Sequence, residues 1–442
     1  METTRWRSRH WASGSYIDLV LTAVFMQILF FTTAIWLGTK GNTFYEQNLE
    51  EVLFALRMQL GLGWMMCLIA GIGFSVLPLI YDVQGFDKSL MRTFIALNIC
   101  GQAIITAGII SNDIDLFESL ATIGITLLCT SLVSLWSPAM TIFRQKTTLD
   151  SNSLGPFSYA LGAFLPILGV ITSLAWVLRD IYSSSLSLSE DLIFELVMPL
   201  FAASVIISHF NRRLEWEIIK PNRIGKIFAI YLVLLFLALI SDPLHEGGDL
   251  SERVNAIIQC LPYIFIFLML NPRQIVGKIR ERMPHNKLIL ASVFWLPFVG
   301  ISASMEAFGY VETTPAMMSY HRWILIFGVT FQCLWGFVSY LHDDHKKISI
   351  HVRKTQWLIF SSMNIATSIT VFAMYTSWES GSAIEKYPRI GIAFFALSYI
   401  LILIYWVKET FFSLDDWHKV PMFYEKYLAH PEQGSGFVPN ED

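Results

Sequence analysis

Apolar runs dominate this chain and fix its class before any motif is considered. They fall at roughly 17–37, 53–81, 93–111, 117–143, 156–178, 191–210, 226–241, 254–271, 287–307, 316–341, 356–377 and 388–412. A helix crossing a bilayer needs about 20 mostly apolar residues, so the sequence predicts twelve transmembrane helices. The seventh run is the shortest, and is expected to be short or tilted. Charged residues make up only 15% of the chain and mean hydropathy is +0.52, against roughly 25% charged in soluble proteins. The expected fold class is therefore an all-α membrane protein. It comprises one transmembrane domain over residues 1–412 and a short cytoplasmic tail over 413–442. That leaves no room for a soluble catalytic module. The basic N-terminus followed by 17–37 reads as a first membrane helix, since the run is long for a signal-peptide core and lacks a small-residue cleavage site.

Cations set the expected orientation. With the N-terminus inside, 24 of the 31 lysines and arginines fall in cytoplasmic segments. Both termini are then cytoplasmic, and the protein is a multi-pass component of the cell membrane. The loops on the other side are acidic, for example Glu46, Glu50, Glu51 and Asp242, Glu246, Asp249. A net charge of −4 gives no basic footprint for nucleic acid, so the partners expected are the lipid bilayer and other membrane subunits. The five cysteines sit in apolar runs without a C-x-x-C pair, which argues against disulfides and a cysteine metal site. Walker, G-x-S-x-G, H-E-x-x-H and dinucleotide signatures are all missing.

The second run, "LRMQLGLGWMMCLIAGIGFSVLPLIYD", opens with a charge. Arg57 has three readings. It can snorkel to outer water, pair with an outer carboxylate such as Glu306 or Glu312, or hold an anion in an outward-facing cavity. Further along, Gly71 and Gly73 allow close helix packing, and Pro78 interrupts the backbone ladder near the cytoplasmic face.

The stretch "AGIGFSVLPLI" (70–80) resembles helix 2 of the haem–copper oxidase subunit I superfamily. The tenth run, "SYHRWILIFGVTFQCLWGFVSYL", is similar to that family's tenth helix, with a histidine near its outer end and then Gly328 and Gly336. Twelve helices and inward-facing termini agree with the family. The resemblance implies a haem–copper oxidase subunit I-like bundle, with haem ligands on helices 2 and 10 and a copper motif opening helix 6. In this chain Ala55 occupies the register of the helix 2 histidine, with Arg57 two residues on. Helix 10 has His321 in place of a His-x-His pair. Helix 6 has Glu195 without a preceding histidine, and the His-His pair near helix 7 is missing. Copper is normally held there by three imidazoles, so oxygen reduction by this chain alone is not expected.

What the resemblance implies is a scaffold that has lost the copper site and most haem ligation. The chain would then be a non-catalytic or single-haem accessory protein, related to respiration or nitric oxide. One haem is the cofactor it would supply, with His321 as ligand, alone or with Met58 opposite, and Arg57 close by. The structural alternative for His321 is a hydrogen bond at the outer interface. Glu195 reads either as a polar packing contact or as part of a proton or substrate path. His209, beside Arg212 and Arg213, reads as interfacial. The cluster His342, Asp343, Asp344, His345 and His351 reads as a solvated loop, and no metal site is expected. Tryptophans near the run ends, Trp136, Trp295, Trp323, Trp335 and Trp378 among them, are expected in an interfacial belt. The rival functional class is a secondary transporter of a small solute.

Overall fold

The computed structural model describes residues 22–37, 49–80, 88–145, 164–179, 181–182, 184–208, 210, 218–241, 249–277, 284–311, 319–343, 350–380, 393–402 and 404. His209, Glu312, Asp344, His345 and the tail 413–442 lie outside them. Among the described residues, every apolar run carries a helix. We number these α1 (Thr22–Trp36), α2 (Leu49–Met58, Gln59–Met65 and Met66–Ile80 in succession), α3 (Lys88–Ile110) and α4 (Ile114–Ser134, continued by Trp136–Gln145). Next come α5 (Leu165–Leu178), α6 (Ser184–Asp191, Leu192–Val197, Met198–Ser208), α7 (Pro221–Ser241) and α8 (Asp249–Met269). Then follow α9 (Pro284–Ala307), α10 (Tyr320–Trp323, Ile324–Thr330, Phe331–Asp343) and α11 (Ile350–Ser380), and finally α12 (Ala393–Ile402). A six-residue helical turn, Pro272–Gly277, follows α8. No strand occurs among the described residues.

Eight of these helices are long and apolar enough to cross a membrane: α2, α3, α4, α7, α8, α9, α10 and α11. α7 supplies a 19-residue span, longer than its apolar run suggested, because the helix begins at Pro221 before the apolar residues do. α1, α5 and α12 are apolar but shorter over their described residues. α6 begins at Ser184, seven residues before its apolar run, and so takes Glu190 into the helix.

Of the eight spans, α2 and α10 lie innermost. Each has 89% of its spanning window buried, against 33% to 56% for the other six spans. Trp64 of α2 meets Phe331 of α10 edge-on at 4.8 Å between ring centroids, and Phe327 at 6.2 Å. Around them the outer helices turn apolar side chains outwards, for example Ile167, Val170 and Leu174 on α5, Val233 and Leu237 on α7, and Ile257 and Leu268 on α8. An aqueous protein would bury such faces; a bilayer solvates them. Gly101 and Gly124 let α3 and α4 approach until a Cβ on either would stand 2.8 Å from the other's carbonyl oxygen, the close packing small residues permit in membranes. Gly71 and Gly73 are buried within α2. The tryptophans divide. Trp136 and Trp378 are exposed, but Trp335 is buried and Trp323 stacks on Phe327 at 5.0 Å. The belt reading is corrected for Trp335, which fills the interior around α10, while Trp323 is half-buried in the first turn of that helix. All five cysteines are free thiols.

Three interior helices share a local feature. α2, α6 and α10 each contain a π-helical stretch, at Gln59–Met65, Leu192–Val197 and Ile324–Thr330. An i→i+5 turn widens the helix and is frequent at functional sites. In α2 its causes are visible. Gln102 Nε2 of α3 donates to the Gln59 carbonyl at 2.9 Å, and Asn98 Nδ2 donates to that of Leu62 at 3.2 Å. In return Gln59 Nε2 donates to Thr106 Oγ1 at 2.8 Å. The Gln102 amide occupies the space a Cβ on Gly63 would take, 1.2 Å from its ideal position.

Candidate functional site: a buried ion network

Each π stretch has charged residues at its N-terminal lip, and these residues meet. Arg57 is two residues before the α2 stretch. Its Nη1 lies 2.9 Å from both carboxylate oxygens of Glu190 on α6. Arg322 of α10 reaches the same carboxylate through Nη1 at 3.3 Å. It also bonds Asp191 through Nη2, and Glu195 Oε1 through Nε at 2.9 Å and Nη2 at 2.6 Å. The i→i+5 repeat of the α6 stretch brings residues five apart nearly into line, so Glu190 and Glu195 can serve one guanidinium.

His321 continues the network. Its Nε2 lies 3.3 Å from Glu195 Oε1, and its Nδ1 contacts Glu306 Oε2 of α9. The other oxygen of Glu306 accepts the backbone N–H of Tyr320 and of His321. Glu306 therefore satisfies amides that a helix start leaves open, at a position where Ser319 supplies no side-chain cap. The phenol of Tyr263 on α8 lies within electrostatic reach of Glu195 and Arg322. Two arginines and one histidine thus face four carboxylates. Side-chain exposure is 5% at Glu190 and between 13% and 20% for the rest. In so dry a place an unpaired charge is costly, and the branching pairs serve to neutralise it.

The predicted residues are placed as follows. Arg57 pairs with a carboxylate, as one reading held, but the partner is Glu190. Glu306, considered for that role, pairs with His321. Glu195 is paired rather than solitary. Met58 is buried in the apolar core. Sequence reasoning missed Glu190 and Asp191, just before and at the first residue of the α6 apolar run, and gave Arg322 no role beyond flanking His321. The available signal was the cluster "SEDLIFE" at the head of an apolar helix. Among the described residues no group of histidine, cysteine or carboxylate side chains has the arrangement of a metal site. A haem does not fit these residues as arranged. Both ring nitrogens of His321 face carboxylate oxygens, leaving none directed to an iron, and Arg57 is engaged by Glu190.

The chain matches no known family model, and no characterised protein matches it significantly.

Proposed function

We propose that this is a twelve-span protein of the cell membrane, both termini cytoplasmic, built on a bundle like that of haem–copper oxidase subunit I. In it the ion network stands where that family carries metal ligands, and the chain acts as a non-catalytic accessory to a respiratory or nitric-oxide-related membrane complex. One observation carries the reading. The resembling family's haem ligands and the start of its copper motif lie on its second, tenth and sixth helices, with a His-His pair near helix 7; here the second, sixth and tenth helices, without the seventh, supply Arg57, Glu190, Asp191, Glu195, His321 and Arg322 to one network. Ion pairs between helices do structurally what shared ligands do elsewhere, tying three interior helices together, but they offer no redox centre.

The test is spectroscopic. Full-length protein purified in mild detergent is expected to show no Soret band and no stoichiometric iron or copper, and to co-purify from native membranes with other integral subunits. One haem per chain, with a spectrum altered by His321→Ala, would overturn the non-catalytic reading. A second reading, a secondary transporter, is favoured by the excess of carboxylates in the interior, since embedded ionisable groups mark ion and substrate paths. It predicts a chain that purifies alone and catalyses solute counterflow in proteoliposomes.

A further inference from the structure

The contacts of His321 impose a count of protons. An ionised carboxylate only accepts hydrogen bonds, and a neutral imidazole has one N–H and one lone pair. Here both ring nitrogens face carboxylate oxygens, Nε2 that of Glu195 and Nδ1 that of Glu306. Neutral imidazole between two ionised carboxylates would set a lone pair against an anion in a dry site. Two arrangements avoid this: an imidazolium donating to both, or a neutral imidazole with a proton on one of the carboxyls. Each holds one proton more than the unsatisfied state.

We infer that His321, Glu195 and Glu306 together form a binding site for a single exchangeable proton, which fastens α10 to α6 and α9. The inference is independent of the oxidase-like reading. The neighbouring charges make the proton matter. Arg322 shares Glu195 with His321, and also bonds Asp191 and Glu190, which Arg57 holds from α2. Tyr263 of α8 is buried within electrostatic reach of Glu195 and Arg322, and Tyr320 of α10 within that of Glu306. With two arginines against four carboxylates, the triad's proton is the remaining positive charge. Without it, Glu195 and Glu306 face one another across an imidazole that can donate to only one of them. The α6–α9–α10 contact then loosens at the end where α10 begins.

Replacing one carboxylate by its amide tests this. In Glu306→Gln the side-chain NH2 can donate to Nδ1 while neutral His321 donates Nε2–H to Glu195, so no extra proton is needed. The native state of the wild type binds a proton that the unfolded chain releases at mildly alkaline pH. Its folded-to-unfolded ratio should therefore fall as pH rises, by up to about tenfold per pH unit for one proton. The full-length protein in detergent is unfolded between about pH 6.5 and 9, bounds chosen around the ordinary histidine value. Glu306→Gln should be flatter than the wild type by that one proton. Equal slopes would overturn the inference. If the variant does not fold, nitrogen NMR of the 15N-histidine-labelled wild type at about pH 8 decides, since an ordinary histidine is neutral there. One imidazolium among the histidines, or a protonated carboxyl band in the infrared, supports the site. Neutral histidines throughout with no such band contradict it.

Discussion

At the residue scale, the two arginines of the network do different work. A single nitrogen of Arg57 bridges both oxygens of Glu190, a task within reach of a compact ammonium group. Arg322 spreads Nε, Nη1 and Nη2 over Glu195, Glu190 and Asp191, which needs the planar fork. Thermal or denaturant unfolding in detergent should therefore separate two substitutions that are formally alike. Arg57→Lys is expected to cost under about 1 kcal/mol. Arg322→Lys is expected to cost about 2–4 kcal/mol, a figure lowered from that of a fully buried network because its partners are partly exposed. Equal costs would show that the guanidinium geometry at 322 carries no weight. Little of this pairing was legible in the sequence, since Arg57 and Glu190 are separated by 133 residues. A charge inside an apolar run announces that a partner exists, but only the fold says which one. Hence Glu306, a plausible partner for Arg57 by level in the membrane, proved to be the partner of His321.

At the element scale, the helices were legible and their irregularities were not. Apolar length located the eight helices that are long enough to span, and shorter apolar helices in other runs, because burial in lipid or protein needs only composition. The π stretch of α2 engages side chains of a neighbouring helix instead. In α2 the Gln59 and Leu62 carbonyls are taken by Gln102 and Asn98 of α3, and no local pattern encodes that exchange. The start of α6 was misplaced for a related reason. "SSLSLSED" is too polar to extend an apolar run, yet it is helical because its acidic end is neutralised by Arg57 and Arg322. The glycines of the α2 stretch give a prediction. A Cβ on Gly63 would displace the Gln102 amide and break its bond to Gln59, whereas one on Gly61 crowds the Ile193 Cγ2 at 2.9 Å and the Phe194 ring at 3.3 Å but separates no hydrogen-bonded pair. Gly63→Ala is expected to cost about 1–3 kcal/mol through the buried groups it leaves unpaired, and Gly61→Ala less. The opposite order of unfolding midpoints would mean that the α2–α3 exchange does not hold the π stretch.

At the scale of the whole molecule, the three interior helices α2, α6 and α10 are sheathed by others whose outer faces are apolar, the arrangement a bilayer demands. The proposed orientation makes a concrete expectation. Reporters fused after residue 442 or within 221–225 should read cytoplasmic, and those within 246–249 external. An external C-terminus would remove the even number of spans. The account turns, however, on whether the ion network is what joins the interior helices. The most direct measurement is a double-mutant cycle across α2 and α6, using unfolding free energies of the wild type, Arg57→Gln, Glu190→Gln and the double variant in detergent. We expect coupling of at least about 1 kcal/mol, with the double variant no less stable than the weaker single one, as befits groups in one network. Additivity within about 0.5 kcal/mol would mean that the two charges do not act on each other, and would contradict the network.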